Sequence, residues 1–208
     1  ELTEKKRDIF FGLAKFGTPN ERTQANAVRV RALWLDIDCG EEKHYTDRNE
    51  AIADLGRFCK ELSLPRPTIV GSGGGVHVYW PLEEAITIEQ WRPVAESLKA
   101  LCTRHDLKAD PAVTADAARI LRIPGTLNHK TAEPRPVEII VSSKPRRFEA
   151  MKELIGEILP PPPKVRRPMD AITKALMGNY INKFSTIQRR IEEDKGCIQT
   201  QHINENQA

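Results

Sequence analysis

The stretch Leu33-Trp34-Leu35-Asp36-Ile37-Asp38 constrains this chain more than any other. Large apolar residues alternate with two acids, the period-2 pattern of a β-strand whose side chains point to opposite faces in turn. Leu33, Leu35 and Ile37 then share a buried face, and Trp34, Asp36 and Asp38 share the other. Two carboxylates one pleat apart on one face repel each other. A divalent cation with oxygen ligands is the simplest group that would offset the repulsion. Taken alone, Asp-x-Asp reads equally as two solvated acids at an ordinary strand edge.

The flanking sequence predicts an α+β arrangement. Asp8 to Phe16 carries the apolar centre Ile9-Phe10-Phe11 and is the candidate first strand, and Gly17 to Asn26 is a loop. Val28 to Asp38 is the acidic strand. Asp47-Arg48-Asn49-Glu50 has the form of a capping box, and Ile52, Leu55, Phe58, Cys59 and Leu62 follow at helical spacing. Thr68 to Val70 and Val76 to Trp80 are two short strands joined by Gly71-Ser72-Gly73-Gly74-Gly75. A turn this short makes them an antiparallel hairpin rather than a parallel crossover. Thr87 and Gln90 form a second capping box, opening a helix with Trp91, Val94, Leu98, Leu101 and Cys102 on one stripe. Asp110, before Pro111, is placed at the start of an extended segment. Val137 to Val141 is a strand, and Phe148 to Leu159 an amphipathic helix with Leu154, Ile155 and Ile158 inward. Helices packed on a mainly antiparallel sheet are the expected fold.

Pro160 to Pro163 cannot be helical and favour a stiff, extended linker. The expected organisation is therefore a catalytic domain over 1–159, a linker over 160–168 and a helical extension over 169–208. That extension has apolar residues from Ile172 to Ile191 every three or four positions. The sequence starts at Glu1 and reads as a piece of a longer protein.

The net charge of +3 over 208 residues means that any basic surface is local, because acids elsewhere nearly cancel it. Cys39, Cys59, Cys102 and Cys197 lack paired spacing, which suits reduced thiols in a cytoplasmic protein. Cys102 and His105 have no second pair to complete a zinc site, so no zinc is expected. No long apolar run predicts a membrane span.

Two further stretches carry chemistry. Four glycines in the five residues from Gly71 to Gly75 leave the backbone open, and their amides can form a concave nest for an anion. No Gly-Lys-Ser/Thr follows, so this is not a P-loop. His77 stands just after the turn, where it can donate to a phosphate. Between Asp110 and Lys130 lie Asp116, Arg119, Arg122 and Asn128. Arginine suits bidentate phosphate recognition and lysine acts as a point charge. Strict alternation puts Arg119 and Arg122 on opposite faces, so either a bulge intervenes or one of them faces away. Together the acids, nest, histidine and cations fit a two-metal nucleotidyl transfer site. The third carboxylate is Asp110, with Asp116 the alternative.

Leu35-Asp36-Ile37-Asp38, then Ser72 to His77, then Ala109-Asp110 with Arg119 and Arg122, resemble the three motifs of the archaeo-eukaryotic primase superfamily. The run from Arg119 to Lys130 is similar to a signature of its primase-polymerase branch in phages, plasmids and mobile elements. The resemblance covers about residues 9–145. It implies an RRM-like half beside a smaller α/β half, with the site between them. It implies that Asp36, Asp38 and Asp110 bind Mg²⁺ or Mn²⁺ and, with His77, form the catalytic set. Ser72, Gly73, Gly74, Gly75, His77, Arg119, Arg122, Asn128 and Lys130 would hold nucleotide. The implied partners are a single-stranded DNA template, nucleoside triphosphates and a helicase further along the polypeptide. The helices after Pro163 resemble an extension that aids primer initiation. One departure is Gly75, which stands where the family usually has a serine two residues before the histidine. A non-catalytic RRM-like or replication-initiator module is the alternative, but it has no need of three carboxylates beside phosphate ligands. A different metal-dependent phosphotransferase or nuclease is a third.

Overall fold

Thirteen short elements build the part of the chain that the computed structural model describes, residues 7–156. All lie within the first of two units into which the chain divides, Glu1–Pro160. The expected linker and helical extension lie outside the described residues, as does Cys197.

The N-terminal apolar stretch is two strands rather than one: β1 (Phe10–Gly12) and β2 (Ala14–Phe16). The chain breaks at Leu13, whose amide donates to the Arg119 carbonyl. The acidic strand β3 (Ala27–Asp38) comes next. Helix α1 (Arg48–Glu61) starts at Asp47, whose carboxylate accepts from the amides of Asn49 and Glu50. The predicted capping box is incomplete, because Glu50 reaches past Asp47 to the amide and hydroxyl of Thr46. Strands β4 (Thr68–Gly71) and β5 (Gly75–Thr87) form the expected antiparallel hairpin. Helix α2 (Ile88–Arg104) opens with the predicted box, in which the Thr87 and Gln90 side chains each accept from the other's amide.

Asp110 does not begin an extended segment. It caps a single turn, α3 (Pro111–Thr114), accepting from the Ala112 amide at 2.8 Å. Proline at the first helical position needs no amide hydrogen, so Asp-Pro here starts a turn. Strands β6 (Ile120–Arg122), β7 (Leu127–Asn128), β8 (Arg135–Pro136) and β9 (Glu138–Val141) follow. Helix α4 (Phe148–Ile155) ends at Gly156, in the left-handed region at φ 76°. Met151 and Ile155 face the core, whereas Leu154, expected inward, is exposed.

The main sheet has the order β2-β3-β5-β4-β9, and every pair in it is antiparallel. Two small sheets, β1-β6 and β7-β8, stand beside it. Leu33, Leu35 and Ile37 register with Trp80, Val78 and Val76, forming one apolar face. The α2 stripe of Trp91, Val94, Leu98, Leu101 and Cys102 is buried as the sequence predicts, as are Leu55 and Phe58 of α1. On the opposite face Trp34 is also fully buried. Its ring stacks on Trp91 at 4.6 Å and its Nε1 donates to the Val113 carbonyl. Beyond Trp34 the same face opens to solvent at Asp36 and Asp38. Cys39, Cys59 and Cys102 are free thiols. Among the described residues no helix is long and apolar enough to cross a membrane.

Candidate active site

Register places the acids. Asp36 stands opposite His77, and Asp38 opposite Gly75. The Asp36 carbonyl points away from β5 and accepts from the Asp110 amide at 2.8 Å. Asp36 and His77 are therefore a non-hydrogen-bonded cross-strand pair, the geometry in which side chains approach most closely. His77 Nε2 lies 3.9 Å from Asp36 Oδ1. The same arrangement delivers Asp110, more than seventy residues further along, to the free edge of β3.

Asp36 feels the charges of both other carboxylates. Burial, the Asp38 charge and the Asp110 charge push the Asp36 carboxyl up to about 6, while Arg119 and Arg122 oppose the rise. Asp38 accepts from Lys43 Nζ at 2.9 Å, and Asp38 in turn holds the Lys43 ammonium above its ordinary value. Asp38 spends Oδ2 on Lys43 and Asp110 spends Oδ1 on Ala112. As the side chains stand, no group of three or more metal-ligating residues among the described ones is close enough to hold an ion. The donor chemistry nonetheless suits a hard divalent cation: carboxylate oxygens, mutual repulsion to be neutralised, and a second oxygen left on both Asp38 and Asp110. Asp36, Asp38 and Asp110 are the residues that would hold it.

His77 is almost fully buried. Burial first, then the charges of Arg122 and Arg119, lower its pKa to about 4, so its imidazole is neutral at pH 7. The 3.9 Å approach to Asp36 is thus not an ion pair there. Its Nδ1 is buried without a hydrogen-bond partner, as is the Tyr79 hydroxyl two residues on along the same face.

The glycine turn is held from three sides. Gly74 accepts from the Cys39 amide, the Ser72 amide donates to the Gly75 carbonyl, and buried Asn128 donates to the Ser72 carbonyl at 2.8 Å. Gly73 has φ +82°, and a Cβ there would meet Asn128 Cβ at 2.8 Å. At Gly75 a Cβ would lie 2.1 Å from the Ile37 carbonyl oxygen, so β3 and β5 approach more closely than any side chain permits. Gly74 has no such obstruction. The amides of Gly73 and Gly74 take no backbone partner among the described residues, which leaves them free for an anion. A cleft of about 350 Å³ opens beside the turn, bordered by Arg48 and Arg135. Arg135 donates to the Gly73 carbonyl at 3.2 Å.

Both arginines expected here lie close enough for their charges to reach Asp36 and His77. Arg119 precedes β6, where its amide closes a turn onto the Asp116 carbonyl. Strand alternation does not govern it. Arg119 has no side-chain hydrogen bond or ion pair among the described residues, and its buried Nε is unpartnered. Arg122 donates to Asp8 at 2.9 Å and lies 4.9 Å from the centre of the Phe10 ring. Asn128 is a positioning residue: its amide nitrogen holds Ser72 and its oxygen accepts from the Lys130 amide. Lys130 is exposed. Asp116 accepts from the Ala118 amide.

Sequence reading missed Asp8, Lys43 and Arg135. Asp8 accepts from the His129 amide and from Arg122, and these, the amide foremost, hold its carboxyl below the usual range. Its partners lie more than 110 residues away, so no local pattern marks it. Lys43 is five residues beyond Asp38 in a polar connection, and that proximity was the available signal.

The fold is similar to that of the AEP domain of a primase-polymerase. The AEP domain of the cyanophage S-2L primase-polymerase matches with a TM-score of 0.57 at 18% identity, over 74% of this chain and 73% of that one. A crystal structure of the primase RepB′ aligns at 17% identity with a TM-score of 0.39, over 78% of this chain and 46% of its own. In sequence, a replication protein of Clostridium perfringens is 27% identical over 136 residues, 63% of this chain. The chain spans about a third of that relative's length, 32%. No family model matches the chain.

Proposed function

We propose that this chain is the catalytic unit of a DNA primase-polymerase. It makes primers de novo and extends them on single-stranded DNA, by template-directed nucleotidyl transfer that depends on Mg²⁺ or Mn²⁺, in the replication of a phage, plasmid or mobile element. The observation that carries this reading is the convergence on Asp36. A half-buried carboxylate feels the charges of Asp38 and Asp110, with neutral His77 and unpaired Arg119 beside it.

Divalent cations bound to these carboxylates would stabilise the attacking and leaving oxygens of an in-line displacement. The chain's own groups do the positioning. The free amides of Gly73 and Gly74 bind phosphate oxygens of a nucleoside triphosphate. His77 donates one hydrogen bond there without adding charge, and Arg119 and Arg122 neutralise charge that grows on the leaving pyrophosphate. Asp8 holds Arg122, and Asn128 holds the turn. The likeness to a primase-polymerase domain and to a replication protein agrees with this assignment.

The test is incubation of the chain with a single-stranded template, labelled nucleoside triphosphates and Mn²⁺. Products that require all three are expected. Tight template binding with no product in Mn²⁺ or Mg²⁺ would instead favour a non-catalytic nucleic-acid-binding module.

A further inference from the structure

At Asp36, β3 has two edges: β5 with His77 occupies one, and the Asp110 segment occupies the other. Strand pairing holds the first edge. The second depends on a short stretch that leaves helix α2 at His105, passes Asp106 in the left-handed region at φ 59° and meets the Asp36 carbonyl at Asp110. Within it the amides of His105, Asp106, Leu107, Ala109 and Asp110 all donate to main-chain carbonyls. Lys108 differs: its amide donates at 3.0 Å to the hydroxyl of Tyr45. Tyr45 lies in the connection that leaves β3 after Asp38, where its carbonyl accepts from the Gly40 amide. The residue is buried, and its hydroxyl donates to Asp54 on α1. The other Asp54 oxygen accepts from Arg57, whose guanidinium also donates to the His105 carbonyl. Burial, then the bond to Asp54, push the phenol up to about 12, so it keeps its proton at pH 7.

We propose that Tyr45 is a positioning residue for the third carboxylate: its hydroxyl, aimed by Asp54, fixes the stretch from Lys108 to Asp110 and so sets where Asp110 stands relative to Asp36 and Asp38. The inference rests on the reading of these acids as a cation site. Asp38 and Asp110 come from segments more than seventy residues apart. The bond from the Asp110 amide to Asp36 is one tie between them. Tyr45 is a second, because it belongs to the chain leaving Asp38 and holds the chain arriving at Asp110. A protonated phenol can donate to a carboxylate and accept from an amide at one atom, and each of the two bonds strengthens the other. Without that oxygen the Lys108 amide loses its acceptor. Asp110 is then tied only through its own amide and its cap on α3. The ordering that the fold no longer supplies falls on cation binding, so affinity for the cation drops. The glycine turn, on the other edge, is untouched. Through Asp54 the same bond makes α1 a support of the acid cluster, although α1 supplies none of its acids.

The experiment compares the full chain as wild type, Tyr45→Phe, Asp54→Ala and Glu61→Ala. Phenylalanine keeps the ring and removes only the hydroxyl. Asp54→Ala keeps the hydroxyl but not its aim. Glu61→Ala removes contacts to Arg57 and His105 between the same two helices and leaves Tyr45 alone. Mn²⁺ binding is read by electron paramagnetic resonance without nucleotide or DNA, and Asp36→Ala marks the fraction bound at the acids. Tyr45→Phe is expected to weaken that binding about tenfold, the scale for loss of a group that orients a ligand, and Asp54→Ala to weaken it less. Glu61→Ala leaves it unchanged. The Lys108 amide exchanges its hydrogen faster in Tyr45→Phe. In primer extension the half-saturating Mn²⁺ of Tyr45→Phe rises by about the same factor. The rate at saturating Mn²⁺ recovers, and KM for the nucleotide stays put. A residue that only stabilised the fold would lower the melting temperature and leave the Mn²⁺ half-point where it was. Wild-type Mn²⁺ affinity in Tyr45→Phe overturns the proposal, and so does an equal loss in Glu61→Ala. If wild type binds Mn²⁺ at the acids yet incorporates nothing, the polymerase reading fails, while a weaker affinity in Tyr45→Phe still upholds the role of Tyr45. If wild type binds no Mn²⁺ that Asp36→Ala abolishes, the proposal falls even where product forms.

Discussion

The two edges of β3 at Asp36 are built differently. On the β5 edge the groups are buried and fixed: His77 is under a tenth exposed, Gly75 touches the Ile37 carbonyl, and Asn128 clamps Ser72. On the Asp110 edge a one-turn helix, a capped aspartate and exposed lysines border an open cleft. A buried edge can hold a ligand whose charge and shape do not vary, such as a triphosphate. The difference teaches that the two sides of one acid cluster need not be built alike.

The largest expected effect breaks the acids common to both edges. Asp36→Ala or Asp38→Ala should lower nucleotide incorporation at least about 100-fold, as loss of a group that stabilises developing charge does. Thermal unfolding without metal should hold or rise, because removing either carboxylate relieves repulsion. Near-wild-type rates would remove these acids from the chemistry.

A second prediction tests the rigidity of the buried edge. Gly75→Ala should destabilise the fold by about 3 kcal/mol or more, since a Cβ has no room against Ile37. Gly74→Ala should melt within about 1 kcal/mol of wild type. Equal effects in chemical denaturation would mean that the turn is not clamped as described.

Protonation gives a third, smaller effect with two opposed signs. The Asp36 carboxyl sits at about 6 in the fold against an ordinary 3.8, so its contribution to stability is present at low pH and lost as pH rises through 6. The His77 imidazole sits near 4 against 6.5, so its contribution is present at high pH and lost as pH falls through 4. In wild type the two slopes oppose each other between about 4 and 6.5. Asp36→Asn should leave a melting temperature that rises with pH across that window, and His77→Gln one that falls. Parallel profiles in the two variants would contradict both assignments.

Much of this was legible in the sequence because it is local. The alternation of Leu33 to Asp38 gave the acid pair its face, and four glycines between two short apolar runs marked the hairpin and its open turn. Helical spacing found the α2 stripe. What was not legible depends on the third dimension. Asp110 joins Asp36 through a backbone hydrogen bond that no spacing reveals. Trp34, set by alternation on the acids' face, is buried because Trp91 and Val113 cover it. Asp8 meets Arg122 and His129 only when segments more than 110 residues apart come together. That Asn128 holds the turn, its buried amide donating to the Ser72 carbonyl, was likewise out of reach of any local pattern.

The smallest effect tests the ligand of the buried edge. His77→Ala should weaken nucleoside triphosphate binding several-fold, on the scale of one lost hydrogen bond to a charged group, and leave single-stranded DNA binding unchanged. Separate titrations of the two ligands check this, and the reverse pattern would take the nucleotide off the buried edge.

The most direct test of the central claim is single-turnover addition of one nucleotide to a primer–template at saturating Mn²⁺, by wild type and by Asp36→Asn. The substitution keeps the side chain's size and removes its charge. The account predicts template-directed addition by wild type and a loss of at least about 100-fold in the variant, with its fold intact by circular dichroism. Addition at a similar rate by both proteins would show that Asp36 is not the centre of the chemistry.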